Sequence, residues 1–457
     1  CAHRLLAAGD ALYPQFATHN AYTVAYILAI ADGRDFEFQR LHGMGEPLYR
    51  ALSEDMPRPP PCRVYAPVGE HDALLPYLVR RLLENGANTS FVNRIADKGQ
   101  PIERLVTDPV RAVVTARCTP HPRIPAPADL YGEARRNAAG VDLSDPRQTE
   151  PLEEGLREAM DVQWTAAPLV DGGRSGGTAR TIADPADRRR TVGQVFEAPA
   201  ALVERAFAAA AAVAPDWETV PAARRAARLE QGADLFEVHR HELMALIIRE
   251  GGRTLPDAAA EVREAVDALR YYAAEARAHF SRPVTLPGPT GELNQLWLRG
   301  RGVFVTVSPW NFPVAIFTAQ AAAALAAGNA VIAKPARQTP LAGWRAVELL
   351  HRAGVPPAVL QFLPGSAAVL GRPLLSDSRL GGVAMTGATE TAWSMQEALA
   401  ARRGAIVPLI AETGGQNMMI VDSSALIEQV VSDAMGSAFN SAGQRCSALR
   451  VLFVQED

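Results

Sequence analysis

From residue 302 onward the chain repeats one unit: a short run of β-branched and small apolar residues, then a helical stretch. The runs are GVFVTVSPW, NAVIAKPA, LQFLPG, GGVAMTG and PLIAE. Helical spacing separates them, as in AIFTAQAAAALAAG (315–328) and TPLAGWRAVELLHRAG (339–354). Parallel neighbours in a sheet need a long crossover, which a helix of this length supplies. The repeat predicts a doubly wound α/β sheet, with ligands beyond the carboxyl ends of its strands. A further strand-like run, NMMIVD, follows.

Residues 198–280 are rich in Ala, Arg and Glu at helical spacing. The first 95 residues alternate again, with QFATHN (15–20), FEFQRLHGM (36–44) and CRVYAPVG (62–69) each leading into a helical stretch. This period predicts βαβ units and a parallel sheet. In a βα barrel the working groups stand at strand carboxyl ends. Those ends carry His19 and Asn20, Leu41 and His42, and Tyr65. Residues 96–165 lose the rhythm; rich in Pro, Arg and Asp, they read as a connector with short helices.

A chain of 457 residues has room for roughly two to four domains. Its net charge of −4 offers no basic field for nucleic acid or anionic lipid. Cys1, Cys62, Cys118 and Cys446 are scattered without CxxC spacing, which argues against a disulfide framework or zinc ribbon and fits a reducing cytoplasm. No apolar run approaches the roughly 18 residues of a membrane span. Cys1 opens what reads as the middle of a helix, and RVLFVQED stops just after a strand-like run, so a piece of a longer chain is expected.

Two places carry candidate chemistry. In DALLPYLVRRLLENG (72–86), Asp72 is the expected N-cap and Gly86 the residue after the helix. Tyr77, Arg80, Arg81 and Glu84 then share one face. Paired guanidinium groups beside a ring suit a small amino acid, since arginine grips a carboxylate with a fork. Spacing alone reads equally as an exposed Arg pair on an amphipathic helix. The second place is Cys446 in FNSAGQRCSALR. A lone cysteine is more often an inert core residue. Two strand-end words favour a nucleophile instead: SPWNFP (308–313) presents Asn311, and AETGG (411–415) presents Glu412. A thiol nucleophile needs an oxyanion donor and a base nearby.

FATHNAYT, FEFQRLHGMGEPLY, RVYAPVG and YLVRRLLENGANTSFVNRI resemble the last βα units of the proline dehydrogenase barrel. They come in the order of the bacterial bifunctional proline utilisation family, and the resemblance continues through HPRIP and DLYGEARRNAAG. It implies that Arg80 and Arg81 bind the proline carboxylate, that Tyr65, Tyr77 and Leu41 pack around the ring, and that His19, Asn20 and Glu84 lie at or near FAD. Hydride would pass from proline to the flavin, and the reduced flavin would pass electrons to a membrane quinone, with peripheral membrane contact.

SPWNFP, AETGGQN and FNSAGQRCSALR, in this order, resemble the aldehyde dehydrogenase superfamily, and the last two its glutamate-semialdehyde branch. The resemblance implies that Cys446 attacks the aldehyde while Asn311 and the Cys446 N–H hold the oxyanion. Hydride goes to NAD, and Glu412 activates the water that hydrolyses the thioester. Ser447 would help hold the substrate α-carboxylate. Ser308, Pro309 and Trp310 would line the cofactor groove, with Gly365 and Gly387 allowing close approach and Lys334 at the adenosine ribose. Three positions depart from the family pattern: Arg337 where Glu is usual, Ala367 for a glycine and Ala388 for a serine. A guanidinium at 337 would favour a 2′-phosphate, so NADP would be tolerated better than in relatives.

The expected layout is the C-terminal part of a (βα)8 barrel over 1–100, a connector over 101–165 and an aldehyde dehydrogenase over 166–457. The implied function is oxidation of proline to glutamate through pyrroline-5-carboxylate and the semialdehyde, by a homo-oligomer. Contact with DNA is expected only through a segment outside this sequence. The readings set against it are a broad aldehyde dehydrogenase with a degenerate barrel, and a non-catalytic regulatory or binding protein.

Overall fold

The computed structural model describes residues 1–86, 101, 103, 106, 108–115 and 124–456. They divide into two compact units, Cys1–Arg123 and Ile124–Asp457.

The first unit runs α1 (Ala2–Ala7), β1 (Gln15–Ala17), α2 (Ala21–Ile30), β2 (Glu37–Leu41), α3 (Glu46–Asp55), β3 (Cys62–Tyr65), α4 (His71–Gly86) and α5 (Pro109–Thr115). Its strands pair in parallel in the order β1-β2-β3, as the βα alternation predicts. Asn20 starts α2: its side chain accepts the N–H groups of Tyr22 and Thr23, which have no partner within the helix. Phe16, Val24, Ile27, Phe38 and Tyr49 form the core between sheet and helices. Glu37 accepts from Gln15 and Gln39 and takes a two-pronged bond from Arg63, at 2.7 Å on each oxygen. The Arg63 guanidinium holds the Glu37 carboxyl down at about 2. The expected start of α4 needs correction. The helix opens at His71, so Asp72 lies inside it, and Gly86 belongs to its last turn. Leu74 N–H donates to Glu70 C=O and closes the first turn earlier than an Asp72 cap would allow.

In the second unit α6 (Pro146–Met160) precedes five short strands: β4 (Trp164–Ala166), β5 (Leu169–Val170), β6 (Gly173–Arg174), β7 (Thr178–Ala183) and β8 (Thr191–Glu197). Four helices follow: α7 (Ala201–Thr219), α8 (Ala222–Val238), α9 (Arg240–Arg249) and α10 (Leu255–Phe280). A hairpin of β9 (Val284–Leu286) and β10 (Asn294–Leu296) comes next. The alternating region is then β11 (Val303–Val307), α11 (Ala315–Ala326), β12 (Ala330–Lys334), α12 (Pro340–Arg352), β13 (Leu360–Phe362), α13 (Ala367–Ser376), β14 (Leu380–Gly387), α14 (Thr389–Ala400) and β15 (Leu409–Thr413). Last come β16 (Met418–Val421), α15 (Ile427–Phe439) and β17 (Val451–Val454), with β16 and β17 paired separately.

The main sheet has the order β15-β14-β11-β12-β13-β5-β6. Its first five strands are parallel, as predicted; β5 and β6 extend it antiparallel. Side chains alternate across the pleat, so Val303, Val305 and Ile332 enter one core while Phe304, Val331 and Ala333 enter the other. Burial on both faces explains why these strands read as unbroken apolar runs. The chain builds β11 to β13 in one direction and then returns to place β14 on the other side of β11. The switch point between β11 and β14 is where such a sheet opens a crevice.

Two buried glutamates fix the helices that follow β11 and β12. Glu261 accepts the N–H groups of Val314 and Ala315 at 2.8 and 3.3 Å, and Glu250 those of Leu341 and Ala342 at 2.8 Å each. Neither α11 nor α12 has a side-chain cap of its own. Burial pushes both carboxyls up to about 8 in spite of these bonds. An acid whose folded pKa lies above its ordinary value of 4.5 loses stabilising power as pH rises between the two. Glu261→Gln keeps an accepting oxygen and carries no charge. Its stability relative to the unsubstituted protein is therefore expected to improve between pH 5 and pH 8, with no further gain beyond the upper pKa. Urea titration at several pH values checks this, and a difference that stays flat with pH refutes it.

Candidate active site

The carboxyl ends of β11 and β14 open into a cleft of about 630 Å³, lined by Ser308, Pro309, Trp310, Asn311, Gly387 and Cys446 among others. A second, largely apolar cleft of about 520 Å³ runs along α11, with Phe304, Ile316, Ala319 and Ile410 in its walls and Glu412 and Cys446 among its polar lining residues. Of the three residues singled out from SPWNFP, AETGG and FNSAGQRCSALR, Asn311 lines the first cleft, Glu412 the second and Cys446 both. Asn311 follows the end of β11, and Glu412 lies in β15, level with Thr386 of β14.

Cys446 is exposed rather than a core thiol. The loop before it contains three successive left-handed residues: Ser441 (φ 58°), Ala442 (φ 54°) and Gly443 (φ 66°). For residues with a Cβ this conformation costs roughly 1–2 kcal/mol each. A Cβ at Gly443 would sit 2.9 Å from the Ala438 carbonyl oxygen, so glycine is required there. Side chains hold the loop by its carbonyls. Arg450 donates to Gly443 C=O at 2.9 Å and Asn311 to Gln444 C=O at 2.8 Å. Asn417 donates to Cys446 C=O at 2.7 Å and Ala448 C=O at 3.0 Å. A primary amide has two N–H groups, so Asn311 retains one for a ligand.

Gln320 was not among the residues expected from sequence. It accepts from the Ser308 hydroxyl at 2.9 Å and donates to Thr386 Oγ1 at 3.0 Å and Val307 C=O at 3.3 Å. One amide on α11 therefore joins the ends of β11 and β14 at the switch point. The available signal was a lone amide in an alanine-rich helix (AIFTAQAAAALAAG). Ser308 itself is buried, with its hydroxyl engaged by that amide.

Lys334 ends β12 and is buried; desolvation lowers its pKa, against the pull of the Glu197 charge. Arg337 is not a free cation. It donates to Glu197 at 2.9 Å, and Arg180 donates to the same oxygen at 2.7 Å. Gly365 answers to packing, because a Cβ there would stand 2.8 Å from a Leu370 methyl. Ala367 is the first residue of α13, whose cap is the neighbouring Ser366. Ala388 lines the first cleft and occupies the N-cap position of α14 without a side-chain bond, leaving the N–H groups of that helix end to other acceptors. No structural contact distinguishes Ser447.

In the first unit, His19, Leu41 and Tyr65 stand at or just beyond the carboxyl ends of the three parallel strands. Leu41 is buried, and its N–H donates to His19 Nε2 at 3.4 Å. On α4 the Arg81 guanidinium lies 5.3 Å from the Tyr77 ring centroid, and Arg80 is exposed one residue away. Asn20 holds the start of α2, as described above. The side chain of Glu84 lies outside the described residues. Among the described residues no helix is long and apolar enough to cross a membrane.

The aldehyde dehydrogenase family profile matches residues 173–457, and the proline dehydrogenase profile residues 1–94. The bifunctional protein PutA of Klebsiella aerogenes is 50% identical over 473 residues, covering 100% of this chain and 35% of its own. A Bradyrhizobium japonicum proline utilization A variant superimposes with a TM-score of 0.82 at 48% identity, covering 100% of this chain and 43% of its own. A Thermus 1-pyrroline-5-carboxylate dehydrogenase with bound NAD gives 0.66 at 30% identity, over 70% of this chain and 63% of its own. The chain thus spans about a third of the length of the curated PutA relative. With its larger part matched throughout, the chain belongs to the aldehyde dehydrogenase family, preceded by a segment of the proline dehydrogenase family.

Proposed function

We propose that the second unit oxidises L-glutamate γ-semialdehyde to glutamate with a nicotinamide cofactor, through a thioester on Cys446. The observation that carries this reading is the thiol at the meeting of two clefts, with Asn311 on one and Glu412 on the other. The first cleft suits a dinucleotide. It lies at the switch point, Gly387 permits close approach of a ligand, and the side-chain-free start of α14 offers N–H groups to a pyrophosphate. When bound there, the nicotinamide accepts the hydride that leaves the aldehyde carbon.

The residues divide the remaining work. The Cys446 sulfur bonds to the carbonyl carbon as its proton passes to water. The free N–H of Asn311 and the Cys446 backbone N–H stabilise the negative oxygen that forms. Loss of hydride from that carbon restores the carbonyl as a thioester. Glu412 then takes a proton from water as its oxygen attacks, and the carbon–sulfur bond breaks to release the acid and a thiolate, to which Glu412 returns the proton. Ser447, next to the nucleophile, is the proposed contact for the substrate α-carboxylate.

The proline half of the reading rests on Arg80, Arg81 and Tyr77 on α4 and on the strand ends at His19, Leu41 and Tyr65. The 50% identity to a bifunctional protein PutA favours coupling of the two reactions. Proline would be oxidised by FAD at the first site, with a membrane quinone as the final electron acceptor. The chain would supply His19, Asn20 and Glu84 to a flavin site completed by other residues of a homo-oligomeric protein.

Two measurements on the full-length protein test this reading. Iodoacetamide is expected to label Cys446, with NAD or aldehyde protecting it; labelling indifferent to both would remove the thiol from the mechanism. Proline is expected to drive NADH formation, and Arg80→Met is expected to abolish that while sparing oxidation of added semialdehyde. The cofactor preference forms a separate expectation. Arg180, Arg337 and Lys334 outnumber Glu197, which favours tolerance of a 2′-phosphate. Arg337→Glu should therefore raise the KM for NADP about tenfold or more, a typical scale for one charge-assisted contact, and leave that for NAD nearly unchanged. Strong NAD preference unaltered by the substitution is the contrary result.

A further inference from the structure

The start of α10 holds a buried charged cluster not included in the chemistry above. Arg253 precedes the helix, and its side chain is 1% exposed. Its guanidinium donates to the Ser441 hydroxyl in the left-handed turn before Cys446. The same group lies 4.7 Å from the ring centroid of Phe312, the residue after Asn311. It also stands 3.8 Å from Asp257. Asp257 is the third residue of α10. One of its oxygens accepts from the Thr254 hydroxyl at 2.8 Å and the other from Arg445 at 2.9 Å. Arg445 is the residue before Cys446. One buried pair therefore touches the thiol loop at both Ser441 and Arg445, and the Asn311 segment at Phe312.

Resting on the assignment of Cys446 as nucleophile, we propose that Arg253 and Asp257 are positioning residues that hold the Cys446 loop in register with Asn311. The physical need is plain. A loop with three consecutive left-handed residues would relax to ordinary backbone angles unless its surroundings fix it. Its anchor must also be shared with Asn311, because nucleophile and oxyanion donor act as a unit. Arg253 meets both conditions: its planar guanidinium covers an aromatic face and still directs N–H groups sideways. Asp257 adds the second tether and links the loop to the N-terminus of α10.

The test uses the full-length protein and three readouts: kcat for semialdehyde oxidation, the rate of Cys446 alkylation by iodoacetamide, and the dissociation constant for NAD. Arg253→Met is expected to lower kcat about ten- to a hundredfold, the scale of a misplacement near 1 Å, with NAD binding unchanged. Alkylation should change with it, and Arg253→Lys, which keeps the charge but lacks the planar fork, should recover only part of both. Should Arg253→Met fail to fold, Ser441→Ala decides. It removes only the accepting hydroxyl, in a backbone conformation that Ala442 already adopts, and should lower kcat several-fold while sparing NAD binding. Wild-type kcat and alkylation in Ser441→Ala, or a kcat loss matched by loss of NAD binding, would overturn the positioning role. An active Cys446→Ala would instead remove the assignment on which it stands.

Discussion

Carboxyl groups buried at the heads of two helices govern this fold. Glu261 reaches from α10 to the first N–H groups of α11, and Glu250, the C-cap residue of α9, reaches to those of α12. Both recipients flank the main sheet and lack caps of their own. An N–H group buried without a partner costs roughly 1–3 kcal/mol, so these contacts determine where the helical layer can dock. The position of α11 in turn sets Gln320, which joins β11 to β14, and the segment before it that carries Asn311. The crevice inherits its geometry from an interaction that never meets a ligand.

The repeating strand and helix pattern was legible because both faces of the sheet are buried. Each strand from β11 to β14 therefore appears as an apolar run, and each crossover has helical spacing. The residues at the ends of those runs could be picked out for the same reason: Asn311, Glu412 and Gly387 break an apolar pattern where a strand stops. The short strands β4 to β8 could not be picked out. They are two to seven residues long, and β5 joins the parallel strands only through β13, almost two hundred residues away. No local period encodes such a pairing.

Long-range polar partners were hidden in the same way. Arg337 departs from a family pattern, yet nothing in AKPARQTP indicates that Glu197 and Arg180 surround it. Arg445 and Asp257 are separated by 188 residues. In the first unit, the face of α4 carrying Tyr77 and Arg81 was legible from helical spacing, whereas the four-residue lattice of Gln15, Glu37, Gln39 and Arg63 was not. Periodicity reports which face a residue occupies; it is silent about what waits there.

The sulfur at the junction of two clefts has a practical consequence. Small electrophiles entering by the greasy corridor along α11 and nucleotide mimics occupying the glycine-edged mouth would press on the same atom from separate directions. A compound that bonds to the thiol from either side would block both, since Cys446 lines the two clefts alike. Selectivity could then be tuned in the apolar arm alone, leaving the dinucleotide arm as a common handle.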